Sequence, residues 1–281
     1  ITHIPYILLV STHKNKVEHF VNGLRAPTLI PKPEDWGSHI SIAGFFFLPT
    51  ASTYVPPPRL ATFLENGQQP IDVGFGSIVV EDSKALTSTI VKAVRMAGVR
   101  AIISQGWSDL GTETKETASD IHFVGDCPHD WILTRVSCVV HHGGAGTTAA
   151  AIQAGRPSVI IPFFGDQPFW RQMVEKAGAG PHPIPYKELT VTRLAAAIKQ
   201  ALGATLLQSA QLLSEKIRRE NGVKAGVYAF HRQLLGSPLI CSISPGLVAN
   251  WKVRKAEIRL STTALATLMD QGRLDLKKVE L

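Results

Sequence analysis

Apolar and polar positions divide the chain into three regions. From residue 26 to 69 the apolar positions show no period. PTLIPKPEDWG and YVPPPRL break the chain with proline, as in a connector carrying short extended pieces. At Pro70 the pattern changes. Short apolar runs alternate with stretches of helical period: PIDVGFGS (70–77) then SKALTSTIVKAVRMAG (83–98), VRAIISQG (99–106) then a polar stretch, and IHFVGD (121–126) then PHDWILTR (128–135). The alternation continues with VSCVVHHGG (136–144) then AGTTAAAIQAG (145–155), PSVIIPFFGD (157–166) then QPFWRQMVEKAG (167–178), and closes on VTRLAAAIKQAL (191–202). Strands separated by such helices build right-handed βαβ units and a parallel sheet. The expected fold class is α/β, with a Rossmann-like parallel sheet flanked by helices over residues 70–203.

The remainder reads as extensions. Residues 1–69 form a linker with the remnant of an amino-terminal region. Residues 204–281 form a helical carboxyl-terminal extension, opened by an amphipathic helix in 204–221 and closed by the helical TTALATLMDQG. No fixed-period repeat or low-complexity tract is present.

Composition narrows the function classes. Of 281 residues, 44% are hydrophobic and 18% charged, with 29 Lys and Arg against 22 Asp and Glu, a net charge of +7. This is a globular composition able to bury a core without staples. Three cysteines, Cys127, Cys138 and Cys241, fit neither a disulfide framework nor a zinc ribbon, so a reducing compartment is the simplest expectation. The longest apolar stretch, residues 40–48, falls well short of the roughly 18 residues a spanning helix needs. The amino terminus makes a poor signal peptide, because no basic segment precedes its apolar patch. A cytoplasmic protein is expected, with peripheral membrane contact left open. Basic residues form only short clusters without interleaved aromatics, so no nucleic-acid partner is expected. A small polyanion such as a nucleotide suits the charge.

Ligands of an open parallel sheet collect beyond the carboxyl ends of its strands. Three loops there are unusual. Gly74-Phe75-Gly76-Ser77 lets backbone approach a ligand and offers the Ser77 hydroxyl, though a tight βα turn needs glycine for structural reasons alone. His141-His142-Gly143-Gly144-Ala145-Gly146-Thr147-Thr148 opens a helix with a glycine turn, which presents free N–H groups and the positive end of the helix dipole to a phosphate. Adjacent histidines of a strand point to opposite faces and do not chelate one metal together; His142, next to the turn, faces the site. In the third loop, Pro162 to Trp170, Asp166 and Gln167 offer acceptors and donors to sugar hydroxyls. The competing structural reading is a turn or helix cap at Asp166 with Trp170 in the core.

Gly144-x-Gly146-x-x-Ala149 with Asp166 twenty residues on also matches a dinucleotide fingerprint. The context is wrong, because that fingerprint belongs to the first strand and this turn follows the fourth. A dinucleotide-dependent oxidoreductase is therefore a minor alternative. No P-loop and no nucleophile elbow occur.

The ordered set GFGS, CPHDW, HHGGAGTT and PFFGDQPFW resembles the carboxyl-terminal, donor-binding half of a family 1 or family 28 glycosyltransferase of the two-Rossmann-domain (GT-B) type. The similarity is closest to UDP-glucose:sterol 3-beta-glucosyltransferases of the fungal kind, and it covers roughly residues 26–281. The resemblance implies glucose transfer from UDP-glucose to a sterol 3-hydroxyl such as that of ergosterol, with inversion and without a cofactor or metal. It places the diphosphate on His142, Gly143, Gly144, Gly146 and Thr147, and glucose hydroxyls on Asp166 and Gln167. The loop Cys127 to His129 would lie near uracil and ribose, with Ser77 facing phosphate or the acceptor cleft. Many plant relatives carry a ribose-binding glutamate at the position of Ala150, so ribose is held otherwise here. The family's general base resides in the amino-terminal Rossmann domain, which residues 1–25 do not resemble. The expectation is donor binding with little turnover unless an N-terminal domain or a second chain completes the cleft. The alternative is a noncatalytic nucleotide-sugar binding module.

Overall fold

A computed structural model describes residues 7–10, 20–23, 26–36, 40–47, 53–111, 119–235 and 240–280. Most of residues 1–25 and positions 112–118 of the polar stretch lie outside that set. In chain order the strands and helices are β1 (Ile7–Val10), β2 (Phe20–Gly23), β3 (Ile40–Ile42), α1 (Pro58–Glu65), β4 (Ile71–Gly74), α2 (Ser83–Ala97), β5 (Ala101–Ser104), β6 (Ile121–Val124) and α3 (His129–Ile132). They continue as β7 (Val139–His141), α4 (Ala145–Gln153), β8 (Ser158–Ile160), α5 (Gln167–Lys176), α6 (Val191–Ala201), α7 (Ala204–Arg218), α8 (Gly222–Leu235), β9 (Trp251–Val253), β10 (Arg259–Leu260), α9 (Thr262–Asp270) and β11 (Val279–Glu280).

The described chain forms two compact units. The first takes residues 26–31 and Phe45–Asn221, the second Lys32–Gly44 and Gly222–Leu281 with the first two strands. At the centre of the first lies a parallel five-stranded sheet in the order β6-β5-β4-β7-β8, the expected α/β architecture. Its strands are buried on both faces and therefore read as short continuous apolar runs. One face packs Ile71, Val73, Ile103 and Val140 against α2 and α6, which carry Ile90, Val94, Leu194 and Ile198. The other packs Ile102 and Val139 against Leu60, Ile132 and Leu133.

Helix ends follow local chemistry. Asp82 caps α2 by accepting from the Ala85 N–H at 2.8 Å, and Gly98, at φ 73°, closes it. Two elements depart from the sequence expectation. Residues 58–65, read within the connector, form α1, because Pro57-Pro58 preorganises a helix start and Leu60 finds a fully buried site. Helix α7, read as the opening of an extension, belongs to the first unit: Ala210, Leu213 and Ile217 join the Trp170 cluster, and Ser214 donates to the Gln153 carbonyl at 2.7 Å.

In the second unit, β1 pairs antiparallel and β3 parallel with β2. A second sheet, β10-β9-β11, packs Leu260 and Val279 with Leu265 of α9. The last region thus contains strands as well as helices. Their two- and three-residue length hides the alternation that would mark them. Among the described residues no helix is long and apolar enough to cross a membrane.

Candidate functional site

The sheet order sets the site. Of the five strands of this sheet, β4 comes first in the chain and is flanked by β5 on one side and β7 on the other, so the topology reverses between β4 and β7. Such a switch point leaves a crevice beyond the strand ends. The loops after β4 and β7 border it. A side-chain carbon built on Gly76, which has φ 59°, would lie 3.5 Å from His142 Cε1, so the two loops are in contact range.

The paired histidines divide as adjacent strand residues must. His141, the last residue of β7, is fully buried, and its Nδ1 accepts the Gly143 N–H at 3.1 Å. The neutral ring therefore carries its proton on Nε2, which has no partner among the described residues. Burial, with His142 and His129 nearby, pushes its pKa down to about 3. His142 is half-buried and turns to the crevice. Burial lowers its pKa too, while Asp166 pulls it back up and His129 pushes it further down. The imidazole centroids lie 6.4 Å apart with the rings at 89°.

Beyond the histidines the turn depends on glycine. Gly143 has φ 87°, and a Cβ there would stand 2.7 Å from Ile160 Cγ2. Gly144 precedes α4 without any side-chain cap, so the first N–H groups of the helix face the crevice uncovered by a cap. A Cβ on Gly144 would fall 2.4 Å from His142 Nε2. Gly146 is exposed with open space around it, Thr147 is half-buried, and Thr148 is buried with its hydroxyl unpartnered among the described residues.

Asp166 precedes α5 but does not cap it. Its Oδ2 accepts the Trp170 indole N–H at 2.6 Å, and Trp170 is 1% exposed, packed near Phe45 and Phe169. Gln167 is buried, and its Oε1 accepts from the N–H groups of Phe163 and Phe164 at 2.7 and 3.1 Å. The side chain thus shapes its own loop and leaves only its NH2 for a ligand.

Past β6 the Cys127 thiol accepts from the Tyr54 hydroxyl, whose pKa is raised to about 12 by burial first and this contact second. Tyr54 meets the Trp131 ring edge-on at 5.0 Å. The thiol is thereby engaged within the protein. His129, exposed at the start of α3, lies close enough to shift both His141 and His142. Ser77 is exposed beside Gly76. The structure thus brings His129, His142, Asp166 and the α4 amino terminus to one crevice. Cys127 and Gln167 take part through protein contacts.

Two residues escaped the sequence reading. Asp72 on β4 is 4% exposed with Oδ1 unpartnered among the described residues, and burial raises its pKa to about 7. A lone carboxylate inside an apolar run was the available signal. Trp107 stands 73% exposed on the turn after β5, marked only by an aromatic next to glycine.

Comparison with known proteins agrees with this architecture. Residues 101–224 match the family model of the erythromycin biosynthesis protein CIII-like carboxyl-terminal domain. A sterol 3-beta-glucosyltransferase of Arabidopsis thaliana is 44% identical over 209 residues, 74% of this chain and 33% of its own length. That of Kluyveromyces lactis is 36% identical over 276 residues, 94% of this chain and 22% of its own. This chain belongs to the family of the sterol 3-beta-glucosyltransferases. It spans about a third or less of the length of these relatives, plant and fungal alike. Among solved structures, the glycotransferase of kitacinnamycin superposes with TM-score 0.60 at 18% identity, over 75% of this chain and 54% of that one. SnogD from Streptomyces nogalater gives 0.53 at 22%, over 74% and 54%. The family fold is thus the GT-B glycosyltransferase fold, represented here by a Rossmann-like parallel sheet.

Proposed function

We propose that this chain holds the sugar donor for transfer of glucose from UDP-glucose to a sterol 3-hydroxyl. The observation that carries the reading is the meeting of His142, the uncapped start of α4 and Asp166 in one crevice at the switch point. Attack of the acceptor oxygen on the anomeric carbon inverts that centre, breaks its bond to the diphosphate and leaves negative charge on UDP. Preorganised N–H groups with a histidine stabilise that charge where it develops. Asp166, anchored by Trp170, holds its remaining oxygen ready for a glucose hydroxyl. The acceptor's proton requires a general base, which we assign to a domain or chain that completes the cleft. The name sterol 3-beta-glucosyltransferase, borne by the Arabidopsis and Kluyveromyces relatives, supports the sterol as acceptor.

Calorimetric titration with UDP, UDP-glucose and NAD, then a turnover assay with ergosterol, tests the reading. His142→Ala should weaken UDP and UDP-glucose alike, by about 10- to 100-fold for a hydrogen bond to a charged group. Asp166→Ala should weaken UDP-glucose selectively. Unchanged affinity in both variants would overturn the site, and protection by NAD rather than UDP would favour the oxidoreductase. UDP-glucose binding without turnover identifies a donor module that needs its complement.

A further inference from the structure

Asp72 Oδ1, His141 Nε2 and Thr148 Oγ1 are buried atoms without a partner among the described residues, and all three side chains belong to the ground beneath the Gly143 turn. Each residue is at most 4% exposed. Buried polar groups are hydrogen-bonded almost without exception, and an orphan costs the full desolvation of its group. Three of them in one region point to a shared partner.

Strand register brings them together. Asp72 is aligned with Ile102 of β5 and Val139 of β7, so it shares their sheet face, and both belong to the cluster that includes Ala151 of α4. Two residues on, Gly74 shares that face and is aligned with His141. Asp72 and His141 are therefore diagonal neighbours on adjacent strands, about 8 Å apart at the backbone, a gap that their side chains shorten toward the span of one water. Thr148 lies on the same side of α4 as Ala151 and Ile152, three and four residues on. One helical turn nearer the start of α4 than Ala151, it stands over the carboxyl end of the strands, where Gly74 and His141 lie. Gly74 contributes no side chain between them, and Ser104 borders the spot: a Cβ built on Gly74 would lie 3.2 Å from Ser104 Cβ and 3.5 Å from its Oγ. Gly74 and Ser104 are half-buried, so water has access. An internal water needs two to four polar partners, which these four side chains supply.

We propose that Asp72 is a positioning residue for the glycine turn: through one bridging water its Oδ1 takes the His141 Nε2–H and fixes the tautomer whose Nδ1 holds the Gly143 N–H. The proposal rests on the donor reading above and adds a residue that acts on it through His141. Without that acceptor nothing keeps the proton on Nε2. The other tautomer places a proton on Nδ1 opposite the Gly143 N–H, where two donors repel and the turn loosens.

The test compares the unaltered chain with Asp72→Leu, which removes the acceptor at similar size, and Asp72→Asn, which keeps a carbonyl oxygen. Ring nitrogen resonances of His141 and hydrogen exchange of the Gly143 amide are read by NMR without nucleotide; UDP affinity is read by calorimetry. The unaltered chain and Asp72→Asn should carry the proton on Nε2 and protect the Gly143 amide. Asp72→Leu should shift the proton toward Nδ1, speed Gly143 exchange and lower UDP affinity about 2- to 10-fold, the range of one hydrogen bond. A proton on Nδ1 in the unaltered chain would overturn the proposal whatever the variants do. So would an Asp72→Leu variant with unchanged tautomer and exchange, or one whose tautomer changes while UDP affinity holds. Absence of UDP binding to the unaltered chain removes the donor reading, and the ring resonances still decide the link between Asp72 and His141.

Discussion

The indole N–H of Trp170 donates to Asp166 Oδ2 across one helical turn, at 2.6 Å. One partner belongs to the core and the other to the crevice, so the first unit's packing sets the direction of its candidate sugar-binding carboxylate. Trp170→Phe keeps a ring in the cluster and removes the donor. Loss of a hydrogen bond to a charged group together with a small cavity should cost about 2 to 3 kcal/mol in denaturant unfolding. UDP-glucose affinity should fall while UDP affinity holds. A variant that loses stability but binds both ligands normally would show that Asp166 needs no anchor.

Gly144 separates packing from positioning at the proposed diphosphate site. A methyl there would meet His142 Nε2 at 2.4 Å, the far end of a side chain that can swing aside, and the backbone is extended at φ −63°. Gly144→Ala should therefore shift stability by less than about 1 kcal/mol while displacing the imidazole. UDP affinity should approach that of His142→Ala, and combining the two substitutions should add little further loss. Full additivity would place the effect of Gly144 elsewhere.

Two buried groups give stability opposite dependences on pH. Asp72 has a folded pKa of about 7, above its ordinary value of 3.8, so the folded state binds more protons between these values. Its contribution is favourable below pH 3.8 and is lost as pH rises toward 7. Each pKa step is worth about 1.4 kcal/mol, a ceiling of about 4 kcal/mol in all. His141 runs the other way. Its folded pKa of about 3 lies below 6.5, so the unfolded state binds more protons and stability falls as pH drops below 6.5. Unfolding measured from pH 4 to 8 should show Asp72→Asn gaining on the unaltered chain as pH rises. His141→Gln should gain on it as pH falls. Parallel curves for either variant would show that the group does not titrate on unfolding.

The candidate site was legible wherever chemistry and turn geometry occupy neighbouring positions. HHGGAGTT announces a glycine turn opening a helix, and the structure places that helix start beside His142. Gln167 was read as a sugar ligand from its side-chain chemistry, but its carbonyl is committed to the amides of Phe163 and Phe164, a three-dimensional return that its sequence position does not reveal. Trp107 was invisible for a related reason, since exposure is a property of the packed surface.

By itself the sequence determined the alternation of strand and helix, the parallel sheet and the loops that carry polar chemistry. These depend on local periodicity, on backbone freedom at glycine and on helix ends, all written within a few residues. Only the tertiary structure decided that β4 lies between β5 and β7, that His141 accepts the Gly143 N–H, and that α7 joins the core. Those relationships join residues far apart in the chain, or settle which of two faces is buried. They follow from filling one shared volume with all the apolar faces at once, a constraint no short stretch of sequence contains.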